Sequence, residues 1–177
     1  MTKIKTKRER VNFASDNVTG ACPEVLNAVL KANEDDKTPY GNDELSKNLQ
    51  NKFSEIFEKE VVVFPTASGT AANALALSTI TPSFGNIYCH RLSHINVDEC
   101  GAPEFYTGGA KLVNLDGNNG KIIAEELDRN VSGKGVVHHT QPSSVSINQL
   151  CETGVAYNLD EIKKISEITH KHDLNIH

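Results

Sequence analysis

A short run of small residues after an apolar stretch is the segment best suited to bind a phosphate group. The sequence FPTASGTAAN (residues 64–73) predicts the end of a strand, a turn, and a helix that begins near Gly69 and Thr70. Free backbone amides and the positive end of the helix dipole bind anions at such a turn. The hydroxyls of Ser68 and Thr70 would add donors. Since the run is neither a Walker loop nor a GxGxxG motif, an ordinary Ser-capped helix explains it equally well.

Three further polar stretches carry side chains that a hydrophobic core does not need. SDNVTG (residues 15–20) and YGND (residues 40–43) each precede a predicted helix and contain Ser15, Tyr40 and Asp43. His94 follows a predicted strand in SHINVDECGAPE (residues 93–104), where an imidazole could stack on a planar ring or transfer a proton near neutral pH. Taken singly, the three stretches are also explained as a turn, a helix cap and a surface histidine.

Alternating helices and strands are predicted to position these residues. Helical spacing of apolar residues predicts a helix that begins at Pro23 and others over residues 43–58 and 159–172. A run of small residues predicts a helix over residues 68–78, and a short helix is expected over residues 124–130. Apolar and β-branched runs predict strands over residues 61–64, 86–90, 111–115, 136–140 and 174–177, the first of them buried on both faces. Residues 98–109 are expected to be irregular. This alternation predicts an α/β fold with a mostly parallel sheet and helices on both faces.

Composition and charge exclude several classes of protein. The chain has 177 residues, of which 38% are hydrophobic, enough for the core of one domain. A net charge of -5 gives no overall positive field to attract nucleic acid or an anionic membrane. No run approaches the ~18 apolar residues of a membrane span, and no secretory signal follows the N-terminus. The four cysteines lie far apart without zinc-ligand spacing, so we predict no metal site and a cytoplasmic location.

The N-terminus differs in charge from the rest of the chain. Residues 3–10 hold five basic residues against one acidic residue. We interpret residues 1–11 as a solvated basic arm, with a short tag for an anionic partner or a targeting segment as the alternative. Residues 12–177 would then form the folded domain.

Five motifs in order carry a resemblance to a known family. SDNVTG, YGND, FPTASGTAAN, SHINVDECGAPE with GGAKLV, and HKHDLNIH extend over residues 12–177. Together they resemble the threonine aldolase and aromatic amino acid β-eliminating lyase family of enzymes, which use pyridoxal 5'-phosphate. The resemblance implies the incomplete, cofactor-binding large domain of fold type I, the aspartate aminotransferase type. It also implies an amino-acid substrate, a homodimer or homotetramer at full length, and cleavage of threonine or allo-threonine to glycine and an aldehyde.

The resemblance also implies roles for individual residues. Ser68, Gly69 and Thr70 match the turn that holds the cofactor phosphate, and His94 matches a histidine that stacks on the pyridine ring and acts in proton transfer. Ser15 matches a serine that binds the substrate carboxylate. Tyr40 and Asp43 of the YGND motif match positions near the site, so the resemblance implies that they contribute to substrate binding, either in their own subunit or in a neighbouring one.

The chain departs from the family pattern at two places. Many members carry a histidine after the fourth strand, but the matching place in HHTQPSSVSINQ holds Ser or Gln, and His138 and His139 lie within the predicted strand. The family's aspartate that pairs with the pyridine nitrogen, and the lysine that binds the cofactor covalently, would both follow His177. We therefore expect a fragment with little or no aldolase activity by itself.

Two other functions stay open at this point. One is β-elimination from another amino acid, which would use the same cofactor. The other is a non-catalytic remnant that serves only as a binding or assembly module.

Overall fold

The computed structural model describes Asn12, Ala14, Ser15 and residues 18–177, in two units. The first unit is Met1–Phe64 and the second is Pro65–His177. The predicted basic arm, residues 1–11, lies outside the described residues, as do positions 13, 16 and 17.

The first unit contains two amphipathic helices, as predicted. Helix α1 (Pro23–Ala32) begins with proline, whose missing amide hydrogen costs nothing in the first turn. Helix α2 (Glu44–Ile56) is one residue shorter at its start than predicted, because Asp43 is its N-cap. No residue of either helix is buried, so their apolar stripes stay exposed within this structure.

The strand predicted over residues 61–64 is wrong: among the described residues it pairs with no other strand. The amide of Val61 donates to Ser54 Oγ (3.3 Å) and that of Val63 to Gln50 Oε1 (3.0 Å). Both acceptors are side chains of α2. The side chains of Val62 and Phe64 are exposed instead of buried. The composition of residues 61–64 is typical of extended backbone, but a strand also needs a neighbouring strand whose main chain forms hydrogen bonds with it.

The second unit is a parallel α/β sheet, which confirms the predicted fold class. Its elements in chain order are α3 (Gly69–Ile80), β1 (Gly85–His90), α4 (His94–Val97), α5 (Ala102–Tyr106), β2 (Lys111–Leu115), α6 (Ala124–Asn130), β3 (Gln141–Val145), α7 (Leu159–Lys171) and β4 (Asn175–Ile176). The strand order is β2-β1-β3-β4, and all neighbours are parallel. Helix α5 lies inside the stretch that we expected to be irregular. Across the described residues, no helix is long and apolar enough to cross a membrane.

The third strand of the chain, β3, begins five residues later than the predicted strand 136–140. Residues 136–140 form a turn, closed by a hydrogen bond from the His139 amide to the Val136 carbonyl (3.0 Å). The real strand contains Pro142, which lies at a register irregularity opposite Asn86. A proline is tolerated there because the ladder is interrupted. Ser144 can be fully buried because its hydroxyl forms a hydrogen bond with that of Thr81 (2.7 Å). The polar residues of β3 give the strand no apolar pattern, so its position could not be predicted from the sequence.

Helices cover both faces of the sheet. On one face, Tyr88, Leu115 and Val145 pack with Leu127 of α6 and Ile165 of α7. On the other face the alternate residues of β1, Ile87 and Cys89, pack with Leu77 of α3 and Ile95 of α4. Successive strand residues point to opposite faces, so two separate cores form and hold the strand ends in place.

Candidate functional site

The first turn of α3 presents open backbone amides. Ser68 is the N-cap, and its Oγ accepts a hydrogen bond from the Ala71 amide (3.2 Å). Within the described part of the chain, the amides of Gly69 and Thr70 have no acceptor. A Cβ added at Gly69 would meet no atom within 4 Å, so this turn faces open space. Ser68 therefore caps the helix, and the two free amides remain able to bind an anion.

His94 lies just beyond the carboxyl end of β1, as the first residue of the short helix α4. Its side chain is 36% exposed, so one part of the ring is held by the protein and another part reaches solvent. Residues that follow the carboxyl ends of parallel strands lie where α/β proteins place their ligands.

A chain of hydrogen bonds connects His94 to helix α3. Glu99 Oε1 lies 2.8 Å from His94 Nδ1 and accepts a second hydrogen bond from Asn73 Nδ2 (2.6 Å). Asn73 is one helical turn after Gly69 and Thr70, a rise of about 6 Å along the axis. The structure thus brings the open turn of α3 and the imidazole of His94 to the same region of the second unit.

Nearby carboxylates control the protonation of His94. The hydrogen bond to Glu99 raises the pKa of His94 above its ordinary value, whereas partial burial lowers it. The negative charges of Glu99, Glu152 and Asp98 raise the pKa further. A histidine in this setting can accept a proton, and it binds that proton more strongly than a free imidazole.

A second histidine lies at the ends of β3 and β4. Ser146 follows β3, and its Oγ lies 2.9 Å from His177 Nδ1. Burial lowers the pKa of His177, and the charge of Glu99 partly opposes that shift. His138 and His139 lie in the turn before β3, not within a strand as predicted. The position directly after the observed strand β3 is therefore occupied by Ser146, with the imidazole of His177, which follows β4, beside it.

The remaining predicted site residues belong to the first unit. Ser15 is exposed, and its carbonyl accepts from the Val18 amide (3.4 Å). Tyr40 is 97% exposed and has a positive φ of 62°, in the turn before Gly41. Asp43 caps α2: its carboxylate accepts from the Ser46 hydroxyl (2.7 Å) and amide (2.9 Å), and the hydroxyl bond is the main cause of its lowered pKa.

Sequence reasoning missed Asn73, Glu99, Ser146 and His177 as members of the site. Glu99 was visible only as a charge near His94, and nothing in the pattern indicated that it is buried. Ser146 and His177 could have been found from the positions directly after two strands, had β3 been placed correctly. No group of three or more His, Cys, Asp or Glu side chains able to hold a metal ion occurs among the described residues.

The cap at Ser68 leads to a first prediction. Replacing Ser68 with alanine removes the acceptor for the Ala71 amide, and we expect the free energy of unfolding to fall by about 1 kcal/mol. Ser68→Asn restores a side-chain acceptor and serves as the matched control, with a smaller loss expected. Urea denaturation of both variants measures the difference, and equal losses would contradict the capping role.

Comparisons with known proteins agree with this architecture. The protein-family model described as "Beta-eliminating lyase" matches residues 12–177 of this chain. A low specificity L-threonine aldolase from a Pseudomonas species is 38% identical over 165 residues, which are 93% of this chain and 48% of the relative. The enzyme of the same name from Pseudomonas aeruginosa is 35% identical over equal shares.

Solved structures show the same fold. The threonine aldolase of Leishmania major superposes with a TM-score of 0.83 at 24% identity, over 90% of this chain and 46% of that one. Cystalysin from Treponema denticola, which contains a pyridoxal 5'-phosphate cofactor, superposes with a TM-score of 0.62 at 16% identity, over 88% of this chain and 39% of that one. These likenesses identify fold type I.

The relatives are longer than this sequence. The chain spans about half the length of the threonine aldolases that it matches. The match to the family covers nearly the whole chain, in agreement with the resemblance of the five motifs. The chain therefore belongs to the β-eliminating lyase family.

Proposed function

We propose that this chain forms the cofactor-binding part of a pyridoxal 5'-phosphate-dependent lyase. The reaction that we infer is the cleavage of L-threonine, allo-threonine and similar β-hydroxy-α-amino acids to glycine and an aldehyde. Two relatives bear the name low specificity L-threonine aldolase, which supports this reaction. The observation that carries the proposal is the hydrogen-bonded path from Asn73 through Glu99 to His94, because it joins an open helix turn to an imidazole.

The residues of this region suit the two ends of the cofactor. Pyridoxal 5'-phosphate consists of a flat aromatic ring and a phosphate. Gly69 and Thr70 would hold the phosphate with their free amides, and the hydroxyls of Ser68 and Thr70 would add donors. His94 would lie against the ring, since its imidazole is planar and partly held by the protein. When bound, the cofactor supplies an electron sink for bonds broken at the α-carbon of an amino acid.

Proton transfer would fall to His94. In the proposed reaction the β-hydroxyl of the substrate loses its proton as the bond between the α- and β-carbons breaks. His94 Nε2 lies on the side of the ring opposite the Glu99 contact, and Asp98 Oδ2 is 3.9 Å from it. That separation leaves Nε2 able to take up a proton and return it to the product.

The three residues of the first unit are proposed to contact the amino-acid substrate. Ser15 would bind its carboxylate, and Tyr40 and Asp43 would lie near it. We further infer that the full-length protein is a homodimer or homotetramer and acts in the cytoplasm. All four cysteines are free thiols in the structure, which suits a reducing compartment.

Elimination at the β-carbon is the second candidate, favoured by the description of the matching family as β-eliminating lyases. It would use the same phosphate turn and the same histidine. The products distinguish the two reactions. Aldol cleavage gives glycine and an aldehyde, whereas β-elimination expels the β-hydroxyl as water or the β-thiol as sulfide and then gives ammonia and a keto acid.

Cofactor binding is the direct test of the proposed site. We expect the purified chain to bind pyridoxal 5'-phosphate saturably in equilibrium dialysis, and inorganic phosphate to compete for the same site. Pyridoxal without the phosphate should bind more weakly, because it cannot use the amides of α3. Binding that neither excess phosphate nor loss of the phosphate group affects would overturn the proposed phosphate turn.

We expect little or no glycine release by these 177 residues alone. Among residues 65–177, three lysines are held elsewhere: Lys121 by Glu161, Lys134 by Asp173 and Lys171 by Asp128. Lys111 begins β2 at its amino end, whereas His94 follows the carboxyl end of the neighbouring parallel strand β1. Lys163 and Lys164 are exposed on α7. No lysine of the second unit is thus placed to bond the cofactor. Rapid glycine formation from threonine by the chain with added cofactor would contradict this.

A further inference from the structure

The contacts of Glu99 define how His94 is protonated. We propose that Glu99 is a positioning residue that holds neutral His94 in the tautomer with hydrogen on Nδ1, which leaves the Nε2 lone pair free to accept a proton. The catalytic meaning of this tautomer rests on the proposed function, whereas the tautomer itself is a property of the chain without any ligand.

Hydrogen-bond geometry determines which ring nitrogen is the donor. Glu99 Oε1 accepts from Asn73 Nδ2 at 2.6 Å and lies 2.8 Å from His94 Nδ1. An ionised carboxylate has only acceptors, so the hydrogen between it and the ring belongs to Nδ1. Neutral imidazole carries one hydrogen, and Nε2 must then be unprotonated. In water, histidine prefers the opposite tautomer, with hydrogen on Nε2.

The burial of Glu99 indicates that this carboxylate has a specific role beyond packing. Its side chain has no exposed surface, and Oε2 has no hydrogen-bond partner among the described residues. A buried carboxylate with a free oxygen is costly to the folded state, and such groups occur where chemistry requires them. Asn73 fixes Oε1 from helix α3, so the acceptor stays in place for the imidazole.

Other charges near His94 cannot replace Glu99. Asp98 Oδ2 lies 3.9 Å from Nε2, and its side chain is 81% exposed. Glu152 acts only through its charge, without a hydrogen bond to the ring. Solvent and salt weaken exposed charges, whereas the buried Glu99 contact is direct and charge-assisted. All three carboxylates raise the pKa of His94, and the hydrogen bond to Glu99 is the largest cause.

The test is a nitrogen-15 NMR measurement of the imidazole in the 177-residue chain without cofactor. His94 is assigned by the loss of its signals in His94→Gln. Above the pKa of the ring, we expect Nδ1 to show the chemical shift of a protonated nitrogen and Nε2 that of an unprotonated one. Glu99→Leu removes both acceptor oxygens beside Nδ1, so in this variant the major tautomer should change to the one with hydrogen on Nε2, and His94 should titrate at a lower pH.

Asp98→Asn is the matched control, since it also removes one carboxylate next to the same ring but at an exposed position. It should keep the wild-type tautomer. If Glu99→Leu does not fold, the wild-type spectrum alone still decides, because hydrogen on Nε2 in the neutral wild-type ring would overturn the proposal. An unchanged tautomer in a folded Glu99→Leu would overturn it too. Failure of cofactor binding with the expected tautomer would instead count against the proposed function.

Discussion

Gly69→Asp is expected to weaken pyridoxal 5'-phosphate binding at least about a hundredfold while the chain stays folded. A carboxylate at this position would occupy the open space in front of the free amides of Gly69 and Thr70. Two like charges about 4 Å apart near a protein surface repel by about 4 kcal/mol, and a hundredfold loss of affinity corresponds to about 2.7 kcal/mol.

The same substitution should not harm the fold. An acidic residue in the first turn of a helix interacts favourably with its dipole, by about 0.3–1 kcal/mol. Glycine also stabilises a helix less than most other residues do, so its replacement is not expected to weaken the helix. Gly69→Asp should therefore unfold at the same or a higher urea concentration than the wild type, although it is expected to bind the cofactor much more weakly.

Gly69→Ala is the control for shape. Its Cβ would contact no atom, so we expect nearly normal cofactor binding and a small gain in stability. Equilibrium dialysis of the three proteins at one ionic strength measures the effect. Equal affinities of Gly69→Asp and Gly69→Ala would show that the phosphate binds elsewhere.

The second large effect is expected at Leu77. This residue of α3 is 0% exposed and belongs to the core between that helix and the face of β1 that carries Ile87. Leu77→Ala would leave a cavity there, and such changes typically cost about 2–5 kcal/mol. That is a large share of the roughly 5–15 kcal/mol by which a domain is stable.

Leu75→Ala on the same helix is the matched control. Leu75 is 49% exposed, so its truncation removes a similar number of atoms without creating a cavity. Urea denaturation should show a clear difference between the two variants. Because α3 also carries the proposed phosphate turn, Leu77→Ala should lose cofactor binding at a lower denaturant concentration than Leu75→Ala. Similar midpoints for the two variants would mean that this core does not hold the helix.

Much of the fold could be predicted from local patterns. Helices α3, α6 and α7 and strands β1 and β2 lie where local residue patterns indicated, since each contributes apolar side chains to one of the two cores. The two errors among strands have one physical origin. Residues 61–64 have the composition of a buried strand but no strand partner, and β3 has partners but a polar composition. In both cases, hydrogen bonding to strands distant in sequence determined whether the segment forms a strand.

The site was predictable only in part, for a related reason. The turn at Ser68 and the histidine at position 94 stand out by residue type, but their connection does not. Asn73 and Glu99 are 26 residues apart in sequence, and only the packed structure reveals their hydrogen bond. Burial of a charged side chain such as Glu99 contradicts ordinary composition rules, so no pattern would have selected it.

The strand order has a consequence for how this protein can diversify. From β1 the chain turns towards β2 on one side, and from β3 it turns towards β4 on the other. The connections after these two neighbouring strands therefore lead away from each other, and a crevice opens between their carboxyl ends. Substitutions in the loops that follow β1 and β3 would change the shape of this crevice and the ligands that it accepts, while the sheet itself would need no adjustment.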